Sequence, residues 1–232
     1  MPDRIEPGHH LAAGRSQPGQ IERLSEHTSA RDRKTYKTKT GRGGAGDSMT
    51  VGADLPRSTT CRGCAAPVAD IPAPAHAYMS AAPGCWQEFS LLTAELADPG
   101  VLRLATDCYA AQHPYGGERE RRQRQSVAVH LTALCLHLEH GLSEDRMRRL
   151  LNGISREVLP RLGRDDWPVL EPPDGPAGLG SVTVLDVRHA PSEERAAATA
   201  RWASSVWRAW SGSHRTVEGW ARIMLAEGRP RM

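Results

Sequence analysis

The chain has 232 residues, 39% of them hydrophobic and 25% charged, with a formal net charge of +3. That is enough for one sizeable domain or two small ones. No apolar run approaches the roughly 20 residues of a membrane helix, and the N-terminus lacks the apolar core of a secretory signal, so a soluble, cytoplasmic protein is expected.

Residues 1–48 carry nine Lys and Arg against six Asp and Glu, including all three lysines of the chain. They show no apolar periodicity and are rich in Gly, Ser, Thr, Arg and Lys. Such a segment buries too little surface to offset chain entropy. A disordered basic tail is expected there, either a real arm able to touch phosphate or an extension upstream of a true start at Met49. Residues 49–232 hold 21 basic and 21 acidic residues, so the basic balance belongs to the tail. Nucleic-acid binding is therefore expected only through that tail.

Residues 49–232 read as a single helical domain. Its first part is a loop broken by Pro56, Pro67, Pro72 and Pro74, with Cys61-Arg62-Gly63-Cys64 on a turn. A helix begins near Pro83, with Trp86, Phe89 and Leu92 on one face, and Pro99 ends it. A second helix, from about Val101, stops at Pro114 and Gly116–Gly117. The clearest helix runs from about Glu118 to His140, where Val127, Leu131, Leu134 and Leu138 recur as an amphipathic stripe and Gly141 suits a C-cap. Ser143 opens the next, with Met147, Leu150, Leu151 and Ile154 as its apolar face. Residues 163–180 form a proline-rich loop. The alternating, β-branched "SVTVLDV" suggests one short strand. Trp202, Val206 and Trp210, then Val217, Trp220 and Met224, mark two helices broken near Gly212. The expected fold is mainly α: a bundle-like domain of five or six helices with a minor β element and a Cys-rich N-terminal loop.

Five cysteines in a chain without an export signal are metal ligands or buried packing rather than a disulfide framework. The CxxC spacing lets Cys61 and Cys64 grip one ion from a single turn. His76 and Cys85 are the nearest further donors, giving a zinc set of Cys61, Cys64, His76 and Cys85, with His113 or His130 able to reach the same ion from a neighbouring helix. A loop with little core gains folding energy from such a metal. A reduced dithiol turn and a redox pair are the competing readings. No strand leads into the CxxC, which argues against a thioredoxin-like site. Cys85 follows Pro83–Gly84 and opens a helix, where a thiolate is favoured. It would serve as a ligand, or as a nucleophile with His113 or His130 as base.

Asp107, His113, Gln125 and His130 form a second set of candidates. An Asp near two histidines is what a metal centre or an acid–base pair requires. It is equally what a buried hydrogen-bond network requires. "ERERRQRQ", at the start of the long helix, reads as a solvated face, its two Glu offsetting half of its four Arg.

The blocks "CRGC", "HAYMSAAPGCW", "DCYAAQHP", "QSVAVHL" and "WASSVWRAW" together resemble, in order, an uncharacterised bacterial family known as domain of unknown function 5946. The resemblance spans roughly Cys61 to Trp220 and implies no reaction. Two positions depart from the family pattern. Its CxGCGA turn has Ala65 here in place of glycine, and its late histidine pair is Ser213–His214. Three readings follow: a zinc-binding helical domain acting as a binding or scaffold module, a metal-dependent, hydrolase-like enzyme using Asp107, His113 and His130, and a basic-armed nucleic-acid binder. No partner is implied by the residues, and no membrane.

Overall fold

The computed structural model describes residues 57–116, 119–174 and 176–227. The expectations for residues 1–48 and for a start at Met49 lie outside that range. Among the described residues are eight helices and one two-stranded sheet: β1 (Ser58–Thr60), β2 (Pro67–Ala69), α1 (Pro83–Glu95), α2 (Pro99–Gln112), α3 (Arg121–Leu138), α4 (Glu144–Leu151), α5 (Ile154–Arg161), α6 (Val184–Arg188), α7 (Arg195–Ala209) and α8 (His214–Glu227). The mainly helical class with a minor β element holds.

Local chemistry sets the boundaries. Asp98 separates α1 from α2. Its carboxylate accepts the N–H groups of Gly100 and Val101 at 2.8 and 2.9 Å, and Pro99 begins the helix, where its missing N–H costs nothing. Gly141, at φ +59°, reverses the chain after α3, so that its own N–H and that of Leu142 cap the carbonyls of His137 and Leu136. Gly153 divides the segment expected as one helix after Ser143 into α4 and α5. That division, together with α6, raises the helix number above five or six.

The strand expected at "SVTVLDV" is not formed, and its residues enter α6. The Asp186 carboxylate accepts both the backbone N–H and the hydroxyl of Thr183, at 2.7 and 2.9 Å, nucleating a helical turn. Val184 and Val187, three residues apart, are both fully buried. Helical spacing permits this, whereas strand alternation would put them on opposite faces. The β element lies instead in the hairpin that flanks the CxxC, with Ser58 opposite Ala69, Thr59 opposite Val68 and Thr60 opposite Pro67, so that, contrary to expectation, a short strand leads directly into Cys61.

The core is built around α2 and α3. Helix α2 packs on α3 and α7, α3 packs on α8, and α1 packs on α6. Val127, Leu131 and Leu134 of the α3 stripe are buried, while Leu138 packs at its edge. Three of the tryptophans are core residues whose polar ends find partners: Trp202 donates to the Gln112 side chain at 2.9 Å, Trp210 to the Ala111 carbonyl at 3.0 Å, and Trp207 to Glu139 at 2.7 Å. Leu134 is fully buried. Leu134→Ala is expected to cost about 2–5 kcal/mol of unfolding free energy in denaturant titration; an unchanged midpoint would contradict this packing.

Candidate metal centre

The hairpin turn, the start of α1 and the end of α2 meet at one point. The turn closes on itself, with Cys61 N–H donating to Ala66 O and Ala65 N–H to Cys61 O, both at 2.9 Å. This sets Cys61 and Cys64 on one side of a tight knuckle. Cys85 lies in the first turn of α1, and His113 caps the C-terminus of α2. Two glycines allow the approach. A Cβ on Gly63 would lie 2.3 Å from His113 Cδ2, and one on Gly84 would lie 2.2 Å from the Ala69 carbonyl oxygen. The knuckle thus presses directly on the imidazole, and α1 directly on β2.

The result is a group of four side chains, Cys61, Cys64, Cys85 and His113, whose donor atoms all lie within 4.8 Å of one another. All four are buried. The Cys64 and Cys85 sulfurs are 3.8 Å apart, and His113 Nε2 is 3.4 Å from Cys85 Sγ. The Nδ1 of the same ring sits 2.7 Å from the Tyr109 carbonyl. That carbonyl can only accept, so Nδ1 carries the proton and Nε2 turns its lone pair to the sulfurs. Ala82 N–H donates to Cys61 Sγ at 3.4 Å, and the Tyr109 hydroxyl donates to Cys85 Sγ at 3.6 Å.

The three thiols divide sharply in acidity. Hydrogen bonds from Cys64 and Cys85 hold Cys61 far below the ordinary thiol range. Cys64 is pushed up to about 12, first by its hydrogen bond to Cys61. Cys85 is pushed higher still, first by Cys61 and then by Cys64. One thiolate is all the pocket tolerates without a cation, since like charges this close disfavour each other's ionisation. A metal ion would relieve that repulsion.

His76 lies outside this group. Its ring packs 4.9 Å from Trp86 and 5.5 Å from Tyr78, and its Nδ1 accepts the Tyr78 N–H at 3.2 Å. It belongs to an aromatic wall that continues from Trp86 to Tyr109 and on to His113, with Phe89 stacked on Tyr109 at 4.0 Å. Asp107 and His130 are joined to each other, with Asp107 Oδ1 2.7 Å from His130 Nδ1 and Arg103 Nε 3.4 Å from Oδ2. They lie apart from the cysteines, because six residues along α2 separate Asp107 from His113 and turn the two side chains well away from each other. Gln125 is exposed. The set Asp107, His113, Gln125 and His130 is thus divided among three places. The sequence carried one pointer to His113 as the fourth donor, namely that it closes a helix and could reach the CxxC ion from there.

Ala65 is at φ +61°, the left-handed region that an L residue with a Cβ enters at a cost of roughly 1–2 kcal/mol. Ala65→Gly is therefore expected to raise stability by about 1 kcal/mol with the site retained. Gly63→Ala is expected to lower it by more than about 2 kcal/mol, because the His113 ring must move. Thermal melts of the two variants check both signs.

No curated protein and no solved structure matches the chain. Residues 59–211, more than half of it, match the family described as "Family of unknown function (DUF5946)". Among the described residues no helix is long and apolar enough to cross a membrane. The chain belongs to this family of unknown function, and it brings to it a buried Cys₃His group able to hold a metal ion.

Proposed function

We propose that Cys61, Cys64, Cys85 and His113 bind one zinc ion that staples the hairpin to α1 and α2, and that the chain acts as a zinc-stabilised binding or scaffold domain. The observation that carries this reading is the pair of contacts at 3.8 Å (sulfur to sulfur) and 3.4 Å (sulfur to nitrogen). In a tetrahedron with Zn–S of about 2.3 Å and Zn–N of about 2.0–2.1 Å, those edges measure about 3.8 and 3.5 Å. Three thiolates and an imidazole are a soft donor set that suits zinc over magnesium or calcium. Four protein donors, all buried, fill a tetrahedron and leave no position for substrate or water, which is the arrangement of a structural site. The knuckle offers little apolar surface of its own, so metal binding supplies its folding energy. A reducing, cytoplasmic setting keeps the thiols available.

Elemental analysis of the purified chain tests this. One zinc per chain is expected, lost on Cys61→Ser and on His113→Ala and retained on His76→Ala and His130→Ala. A second ion, lost with His130→Ala while the fold persists, would instead favour a metal-dependent, hydrolase-like enzyme built on Asp107 and His130, the two members of that set which the fold joins. Loss on His76→Ala with retention on His113→Ala would refute the ligand set.

The pH dependence has a definite sign. Cys64 and Cys85 hold their protons more tightly than ordinary thiols when the metal is absent, so binding must displace protons. Zinc affinity is expected to fall by more than about tenfold per pH unit between roughly pH 8 and 6, measured by competition with a chromophoric chelator.

A further inference from the structure

Charge is unevenly placed along the folded part of the chain. Residues 121–164 carry nine arginines against four acidic residues, whereas residues 165–227 carry six arginines against nine. The first segment comprises α3, whose arginines lie in its first turn, together with α4, α5 and the turn after α5. Two shallow grooves lie on it. One, of about 760 Å³, is lined by Arg121, Arg156 and Arg164; the other, of about 440 Å³, by Arg146, Arg149 and Arg156. Arg156 belongs to both, so the grooves adjoin and five guanidinium groups follow one track. All five are exposed.

Neutralisation along this track is incomplete. Among the described residues, no carboxylate lies within ion-pair distance of Arg146 or Arg149, whereas Arg148 has Asp145 at 3.8 Å. Glu157 is shared between Arg156 at 3.3 Å and Arg161 at 3.2 Å. Arg121 reaches Asp166 only at 3.9 Å, and Asp166 is already engaged by Arg124. Asp165 lines the larger groove. Of the apolar lining residues, Leu150, Leu159 and Met224 are themselves buried and Pro160 alone is exposed, so the grooves offer little to the side chains of a peptide. A row of arginine forks suits phosphate oxygens, which accept two parallel N–H bonds.

We propose that this face, separately from the metal centre, binds the phosphate backbone of a nucleic acid without reading its sequence. It differs from a basic tail in being part of the folded domain and in using arginine alone. Phosphates repeat along a strand, which matches a track of several cationic positions better than it matches a single phosphate pocket. Sequence preference is expected to be weak, because contacts to phosphate carry no base information directly.

The test uses the full chain and fluorescein-labelled mixed-sequence DNA, single-stranded and duplex, followed by anisotropy. Binding to at least one form is expected, with affinity falling roughly a hundredfold between about 50 and 200 mM salt, as for about four phosphate contacts. The variant Arg146→Glu/Arg149→Glu/Arg156→Glu is expected to lose at least tenfold in affinity and to reduce the salt slope by about three, one for each contact removed. The milder triple change to Gln should reproduce the loss of slope. Arg201→Glu/Arg215→Glu, on α7 and α8, should change neither. Unaltered affinity and slope in both triple variants would place any binding elsewhere in the chain and overturn the proposal. So would no binding to either DNA form, or binding to phosphatidylserine vesicles in its place.

Discussion

Three sulfurs and one imidazole nitrogen within 4.8 Å of one another, all shut away from water, form an arrangement that the chain cannot hold ionised by itself. Hydrogen bonds within the cluster can settle one thiolate, but a second and third charge need a cation to face. Three elements of the fold converge on this point. The hairpin brings two of the donors, the first turn of α1 a third, and the last turn of α2 the fourth. Gly63 and Gly84 let backbone meet ring and backbone meet backbone with nothing between. A segment with only Val68 and Ala66 as buried aliphatic anchors is thereby fastened to two helices of the core.

Helix α2 is the element through which this fastening reaches the rest of the domain. Its last residue, Gln112, is fully buried and satisfied on both ends. Its amide donates to the carbonyls of Leu179 and Val182 at 3.2 and 2.8 Å, and its carbonyl accepts the Trp202 indole. The residue beside the imidazole is thus tied to α7 and to the chain entering α6. Five residues earlier, the buried Asp107 faces His130 of α3 and Arg103 of its own helix. Removing one partner from such a network leaves a desolvated carboxylate short of donors, which costs more than the hydrogen bond itself is worth. The pair reads as a structural link between α2 and α3, set apart from the metal chemistry.

The aromatic wall serves the same end by excluding water. Tyr109 stands between Phe89 and the His113 ring, turning its hydroxyl to Cys85 and its carbonyl to His113 Nδ1. One residue therefore orients two donors, through its side chain and through its backbone. Such outer contacts fix the imidazole tautomer and limit its rotation. His76, at the outer end of the wall, contributes as a ring packed on Trp86, and burial holds its pKa below the ordinary value.

What the sequence determined by itself is what local rules govern. The α3 stripe, the breaks at Pro99, Gly141 and Gly212, and the pairing of Cys61 with Cys64 on one turn all follow from interactions within a few residues, and all are present in the structure. Cys85 was legible too, because a cysteine just after Pro-Gly opens a helix facing whatever precedes it. Tertiary packing decided the remainder. His76 is nearer to the cysteines along the chain, yet His113 holds the fourth place, because the donor is chosen by which helix end packs against the knuckle and no spacing rule encodes that. "SVTVLDV" has the alternation of a strand, but no sheet edge is there to receive it; the Thr183–Asp186 cap and the buried face shared by Val184 and Val187 make it a helix. Asp107 and His113 looked like parts of one site because both are polar residues of one helix. They serve two, because the turn of that helix sends one toward α3 and the other toward the sulfurs.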